Sequence, residues 1–147
     1  MDGWEEEAWY AHLQHARLLW VTGDEAGFVR EATKAYNRRP QRAEPLYDLA
    51  RFYRQKEMYE ASILFCEAGM AIPLPEDEKL FIEQFVYDYG LKEEYSISAY
   101  YVRDEERKRQ GFSHCKWLAE NPNAYEGTRQ LAKSNLQCYI DNYGYEE

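Results

Sequence analysis

Phe28-Val29-Arg30-Glu31-Ala32-Thr33-Lys34-Ala35-Tyr36-Asn37-Arg38-Arg39-Pro40 and Ala61-Ser62-Ile63-Leu64-Phe65-Cys66-Glu67-Ala68-Gly69-Met70-Ala71-Ile72-Pro73 decide the fold. In the first stretch Phe28, Ala32, Ala35 and Pro40 follow one another at gaps of 4, 3 and 5, and Ala61, Phe65, Ala68 and Pro73 repeat those gaps 33 residues later. Spacings of three and four place side chains on one face of a helix. Proline lacks the N–H that a continuing helix needs, so each helix stops there. A period of this length is the mark of a repeat architecture.

Upstream of each copy lies a second helical pattern: Trp9, Leu13, Ala16, Leu19 and Trp20 before the first, and Leu46, Leu49, Ala50 and Tyr53 before the second. Each unit therefore reads as helix, turn, helix and terminating proline. Gly23-Asp24 suits the first turn, glycine taking a left-handed conformation and aspartate capping the next helix. Lys56-Glu57 stands in the corresponding place of the second unit, one residue shorter. Beyond Pro73 the pattern weakens. Pro75-Glu76-Asp77-Glu78 predicts a helix start with carboxylates over the positive dipole end, Leu80, Phe81, Phe85 and Tyr89 its apolar face, and Gly90 its end. Glu94 to Val102 then reads as its partner. A last pair runs from Glu105 to Glu120, with Phe112, Cys115 and Leu118 inward, and from Gly127 to Tyr139 around an Asn121-Pro122-Asn123 loop. The tail, Asp141 to Glu147, is expected to fray.

With 147 residues, 45% hydrophobic and 16% aromatic, the chain has enough apolar surface for one core and is not a disordered sequence. The start is acidic, unlike a signal peptide, and no apolar run approaches the ~20 residues of a membrane span. A cytoplasmic location is expected. Cys66, Cys115 and Cys138 are odd in number and far apart, which points to reduced thiols. The net charge of -9 is unevenly placed: residues 30 to 56 hold eight basic residues against three acids, whereas residues 57 to 106 hold thirteen acids against Lys79, Lys92 and Arg103. Such asymmetry either steers a partner or marks solvated faces.

The order small residue, aromatic, alanine, proline in Ala61, Phe65, Ala68 and Pro73, preceded by Leu49-Ala50 and Tyr53, is similar to the tetratricopeptide consensus. A narrower likeness is carried by Arg39-Pro40-Gln41-Arg42-Ala43-Glu44-Pro45-Leu46-Tyr47-Asp48-Leu49-Ala50-Arg51-Phe52-Tyr53-Arg54, by Ile72-Pro73-Leu74-Pro75 and by Glu93-Glu94-Tyr95-Ser96-Ile97-Ser98-Ala99-Tyr100. These stretches resemble the helical-repeat region attached to bacterial family 2 glycosyltransferases. The resemblance implies an all-α, tetratricopeptide-like α-solenoid of four antiparallel hairpins, one domain over residues 1–147 with repeats near 4–40, 43–73, 75–103 and 104–140. It also implies an accessory region, either cut from a longer protein or encoded alone. In that family the chemistry belongs to a separate nucleotide-sugar domain with an Asp-x-Asp motif, which this sequence lacks, along with any glycine-rich phosphate loop.

A non-catalytic interaction module without cofactor or metal is therefore expected. His12 and His15 lie one helical turn apart but lack a third ligand at suitable spacing. His114 and Cys115 are adjacent, so on a helix their side chains diverge. Glu76-Asp77-Glu78 is explained by a helix start. In tetratricopeptide arrays the first helix of each pair lines the concave groove, which by resemblance places Tyr47, Arg51 and Arg54 there, with Arg38 and Arg42 nearby. Arginine suits forked contact with an acidic segment of a protein or peptide, or with a glycosyltransferase domain. The competing reading is that Arg42, Glu44 and Asp48 pair locally with these arginines and hold the hairpins in register. A different function is self-assembly into oligomers or filaments through Trp4, Trp9, Tyr139, Tyr143 and Tyr145 at the solenoid ends, which a concentration-independent monomer mass in light scattering would exclude. Nucleic acid is disfavoured as a partner by the overall charge.

Overall fold

A computed structural model describes residues 3–77 and 80–146. Among these residues the chain is all-helical, with α1 (Gly3–Val21), α2 (Glu25–Arg38), α3 (Glu44–Gln55), α4 (Tyr59–Met70), a π-helical turn (Val86–Gly90), α5 (Leu91–Ala99), α6 (Glu105–Glu120) and α7 (Glu126–Tyr143). None of these helices is long and apolar enough to cross a membrane.

Local chemistry sets the boundaries of the first two hairpins. The Asp24 carboxylate caps α2 by accepting from the Gly27 N–H at 2.9 Å, and Gly23 turns the chain at φ 92°. In the second hairpin Glu57 takes the left-handed role at φ 60° without help from glycine. Pro45 occupies the first turn of α3, where its missing N–H is harmless.

The first copy of the repeat lies in the core, but the second is turned: Ala61 and Phe65 are half-buried and Ala68 is exposed, and α4 buries Ser62, Ile63, Cys66 and Gly69 instead. Phe28, Ala32 and Ala35 from α2 are fully buried, as are Ala50 from α3 and Ile63 and Cys66 from α4. Small residues at the crossings bring α1 against α2 and α3 against α4, and the Ser62 hydroxyl donates to the Ala50 carbonyl at 2.9 Å. The Trp9 indole N–H reaches the Ala35 carbonyl at 3.1 Å, so this ring ties the first hairpin together. Trp9 and Tyr139, expected at open ends, have no exposed surface, while Trp4 is 70% exposed.

Past Pro73 the structure departs from the sequence reading. No helix begins at Pro75: the described residues between 71 and 83 are irregular, Glu78 of the expected helix start lies outside the described residues, and helical backbone begins at residue 84. The reason is tertiary. The buried Arg42 guanidinium captures the carbonyls of Leu80 and Phe81, and Glu44 accepts the Glu83 N–H at 3.1 Å, so this backbone is satisfied outside a helix. Gly90 does not end a helix either. It lies within one at φ -59°, where a Cβ would sit 3.0 Å from the Tyr47 ring, so its role is close packing against α3. Seven α-helices and one π turn thus stand where four pairs were expected among the described residues.

Near the C-terminus α5 packs on α6, and α6 on α7. The tail does not fray as far as residue 146. Tyr143 donates to the Tyr100 carbonyl at 2.7 Å and Tyr145 to Glu105 at 2.6 Å, while the Tyr145 ring stacks on Phe112. His114 on α6 meets Tyr95 edge-on at 5.1 Å, and burial, helped by the Lys92 charge, pushes its pKa down to about 4. The folded state therefore keeps His114 neutral while the unfolded chain takes up a proton as pH falls below the ordinary value of 6.5. Stability supported by neutral His114 is present above that value and lost towards the folded pKa. Discounted for partial exposure, about 1–2 kcal/mol is expected to disappear between pH 7 and pH 5. Urea titrations at the two pH values check this: His114→Phe should lose less stability than the parent, and an equal loss would refute it.

Candidate functional site

On α3, Tyr47, Asp48, Arg51 and Gln55 share one face, and on α1 Arg17, Trp20 and Val21 form the facing wall. Glu83 and Phe85, where the irregular segment re-enters helix, close one end. Together they line a groove of about 690 Å³. Its walls are aromatic: the Tyr47 ring meets Phe85 edge-on at 5.4 Å, and the Arg51 guanidinium lies 5.5 Å from the Trp20 ring.

The polar end of the groove is built around Arg17. Its guanidinium forks to Asp48 at 2.6 and 3.2 Å and to Glu83 at 2.6 Å through both terminal nitrogens. The Tyr10 hydroxyl donates to the same Glu83 carboxylate at 3.2 Å. Burial alone would lower the Arg17 pKa, but the hydrogen bonds to Glu83 and Asp48 more than reverse it, so the charge is fixed. Burial pushes the Asp48 carboxyl up, and Arg17 opposes that shift.

The residues expected to bind divide. Tyr47 and Arg51 do line the groove. Arg54 turns away to Glu94 on α5, touching it through Nε and through Nη2 at 3.2 Å, and the Glu94 side chain is only 2% exposed. Arg42 is removed from the surface: its side chain and that of Glu44 are both 0% exposed, joined at 2.7 and 3.1 Å, with the Trp9 ring 4.2 Å from the guanidinium. It anchors the fold instead of lining a groove. Arg38, at the end of α2, is exposed and lies away from the groove lining. Local pairing of the arginines holds for Arg42 with Glu44, but Asp48 pairs with Arg17 from a different hairpin.

Arg17 and Glu83 are the groove residues that the sequence did not disclose. Neither sits in a motif, and their partnership spans 66 residues. The acidic stretch of residues 57–106 supplies Glu83 to Arg17 at the groove and, elsewhere, Glu94 to Arg54 and Glu67 to Arg107.

No family model, curated protein or solved structure matches this chain.

The arrangement itself must therefore carry the functional reading. Among the described residues no three His, Cys, Asp or Glu side chains gather as a metal site would require, and His12 lies 2.8 Å from Glu31. The Cys115 thiol donates a hydrogen bond to the Ala132 carbonyl at 3.0 Å, and burial pushes its pKa up to about 12. What the groove offers is an apolar floor beside a cation. Asp48 and Glu94, which feel the Arg51 charge, are forked by Arg17 and Arg54, and among the described residues Arg51 itself forms no ion pair with a carboxylate. An apolar side chain next to a carboxylate fits such a surface.

Proposed function

We propose that the chain is a tetratricopeptide-like helical-repeat interaction module, an accessory region or partner of a family 2 glycosyltransferase, which binds an acidic segment of another polypeptide between α1 and α3. The observation that carries the binding reading is Arg51. Arg17, Arg42 and Arg54 are each forked by a carboxylate of this chain, whereas Arg51 lies against Trp20 at the mouth of the groove without one among the described residues. A guanidinium held on an aromatic face keeps its edge N–H groups for a forked carboxylate contact. Trp20, Tyr47 and Phe85 supply the apolar surface beside it.

The test uses a fluorescein-labelled panel of short peptides pairing one aspartate with neighbouring apolar residues, followed by fluorescence anisotropy. Arg51→Ala is expected to weaken the best peptide about tenfold or more, the scale of one charge-assisted hydrogen bond. Replacing the peptide's aspartate by asparagine should cost a similar factor, and the melting temperature of the variant should stay near that of the parent. Undiminished binding by Arg51→Ala would sink the reading. The glycosyltransferase link rests on the resemblance carried by residues 39–54, 72–75 and 93–100. A family 2 catalytic domain encoded in the same or the adjacent reading frame supports it, and a neighbourhood without one removes it.

A further inference from the structure

The connection from α2 to α3 takes residues 39–43, but the return from α4 into helix takes residues 71–83. A connection of that length is uncommon in a compact domain and is often functional. The segment of residues 80–85, the end of this connection and the first two helical residues after it, lies against α1 and α3. Side chains hold its backbone: Arg42 donates to the carbonyls of Leu80 at 3.3 Å and Phe81 at 2.8 Å, and Glu44 accepts from the Glu83 N–H at 3.1 Å. Its own side chains take alternate places. Phe81 stacks on Tyr10 with centroids 4.5 Å apart and planes 6° from parallel, Glu83 is forked by Arg17, and Phe85 meets the edge of Tyr47.

The segment is nevertheless not sunk into the core. Leu80, Phe81 and Phe85 keep 36%, 39% and 39% of their surface exposed. Phe81 also sits at φ 61°, in the left-handed region that an aromatic residue adopts only when its surroundings force it. A stretch that is strained, partly exposed and held by a few polar contacts is suited to being exchanged.

We propose that residues 80–85 are a ligand in cis, and that the groove's partner is a short peptide with an aromatic, an acidic and a second aromatic residue at alternate positions. Its carboxylate takes the place of Glu83 on Arg17. The proposal rests on the reading of the groove as a peptide site, but it concerns the Arg17 end, whereas that reading stands on Arg51. A tethered ligand acts at an effective concentration on the order of millimolar, so it masks the site until a partner outcompetes it.

The probe is the labelled peptide acetyl-Leu-Phe-Ile-Glu-Gln-Phe-amide, titrated into the whole chain. The double variant Phe81→Ala, Glu83→Ala should bind it about tenfold or more tightly than the parent, because the open fraction rises. A peptide with glutamine in place of its glutamate should lose that gain, as should Arg17→Ala in the double-variant background, which separates this result from the aspartate panel that tests the Arg51 end. Equal affinity for parent and double variant, or for the glutamate and glutamine peptides, would overturn the proposal. If the double variant does not fold, hydrogen exchange on the parent decides. Saturating peptide should speed exchange of the Glu83 amide by about tenfold or more, and unchanged protection with peptide bound would overturn the proposal equally.

Discussion

Arg42→Ala should lower the melting temperature more than the loss of any other arginine side chain, by roughly 10–15 °C at ~3 °C for each kcal/mol in a chain of this size. Arg42 and Glu44 expose none of their side-chain surface, and the pair is joined by two hydrogen bonds. Removing one partner of a buried pair strands the other charge, at a cost of about 3–5 kcal/mol. The same substitution removes the cation over the Trp9 ring and both donors to the carbonyls of residues 80 and 81. Arg42→Met combined with Glu44→Leu should cost less than Arg42→Ala alone, because no charge remains stranded, although Tyr87 and the Glu83 N–H lose their acceptor. Thermal melts followed by circular dichroism read both. A loss below ~1 kcal/mol for Arg42→Ala would mean that solvent reaches this pair.

Arg54→Ala carries the second large effect and contrasts with Arg51 one turn earlier on α3. Glu94 is buried on α5, burial raises its carboxyl pKa, and Arg54 is the cation that offsets this. Without Arg54 the cost is expected to be about 2–4 kcal/mol at pH 7, read as a lower urea midpoint at unchanged slope. The deficit should shrink as pH falls. A carboxyl raised by burial takes up its proton in the folded state before the unfolded chain does, and once neutral it no longer needs the arginine. A deficit that does not change between pH 7 and pH 5 would show that Glu94 stays charged in the variant. Arg51→Ala, by comparison, should stay within ~0.5 kcal/mol of the parent, as surface substitutions usually do.

The helices of the first two hairpins are legible in the sequence because their instructions are local. Phe28, Ala32 and Ala35 announce a helix face at regular spacing and are fully buried, and Pro40 follows the end of that helix. On α4 the same spacing finds the helix but not its inner face, since Ala68 is exposed while Ile63 and Cys66 are buried. Residues 75–90 mislead for an equally physical reason. Leu80, Phe81, Phe85 and Tyr89 have helical spacing, yet Arg42 and Glu44, some forty residues earlier, bind the backbone of residues 80–83 in another conformation. Spacing cannot report a hydrogen-bond partner so far away. The candidate groove is half legible: Tyr47 and Arg51 lie four residues apart on one face of α3, whereas Arg17 and Glu83 become a site only when two remote segments meet. Segregated charge along a sequence reads as a surface for others. Here much of it is used internally, on Arg17 with Glu83, Arg54 with Glu94 and Arg107 with Glu67.

The position of Arg17 between Asp48 and Glu83 bears on how this chain could be cut or rebuilt. In an ideal helical array each unit answers only to its neighbours, so units can be deleted, swapped or duplicated almost independently. Here one guanidinium from α1 neutralises a carboxylate from α3 and another from the segment that leads into α5. Excising the first hairpin would leave two facing acids without their shared counter-ion. Inserting an extra unit behind it would pull the three charges apart. The chain looks periodic, but it has to be inherited or engineered as a single piece.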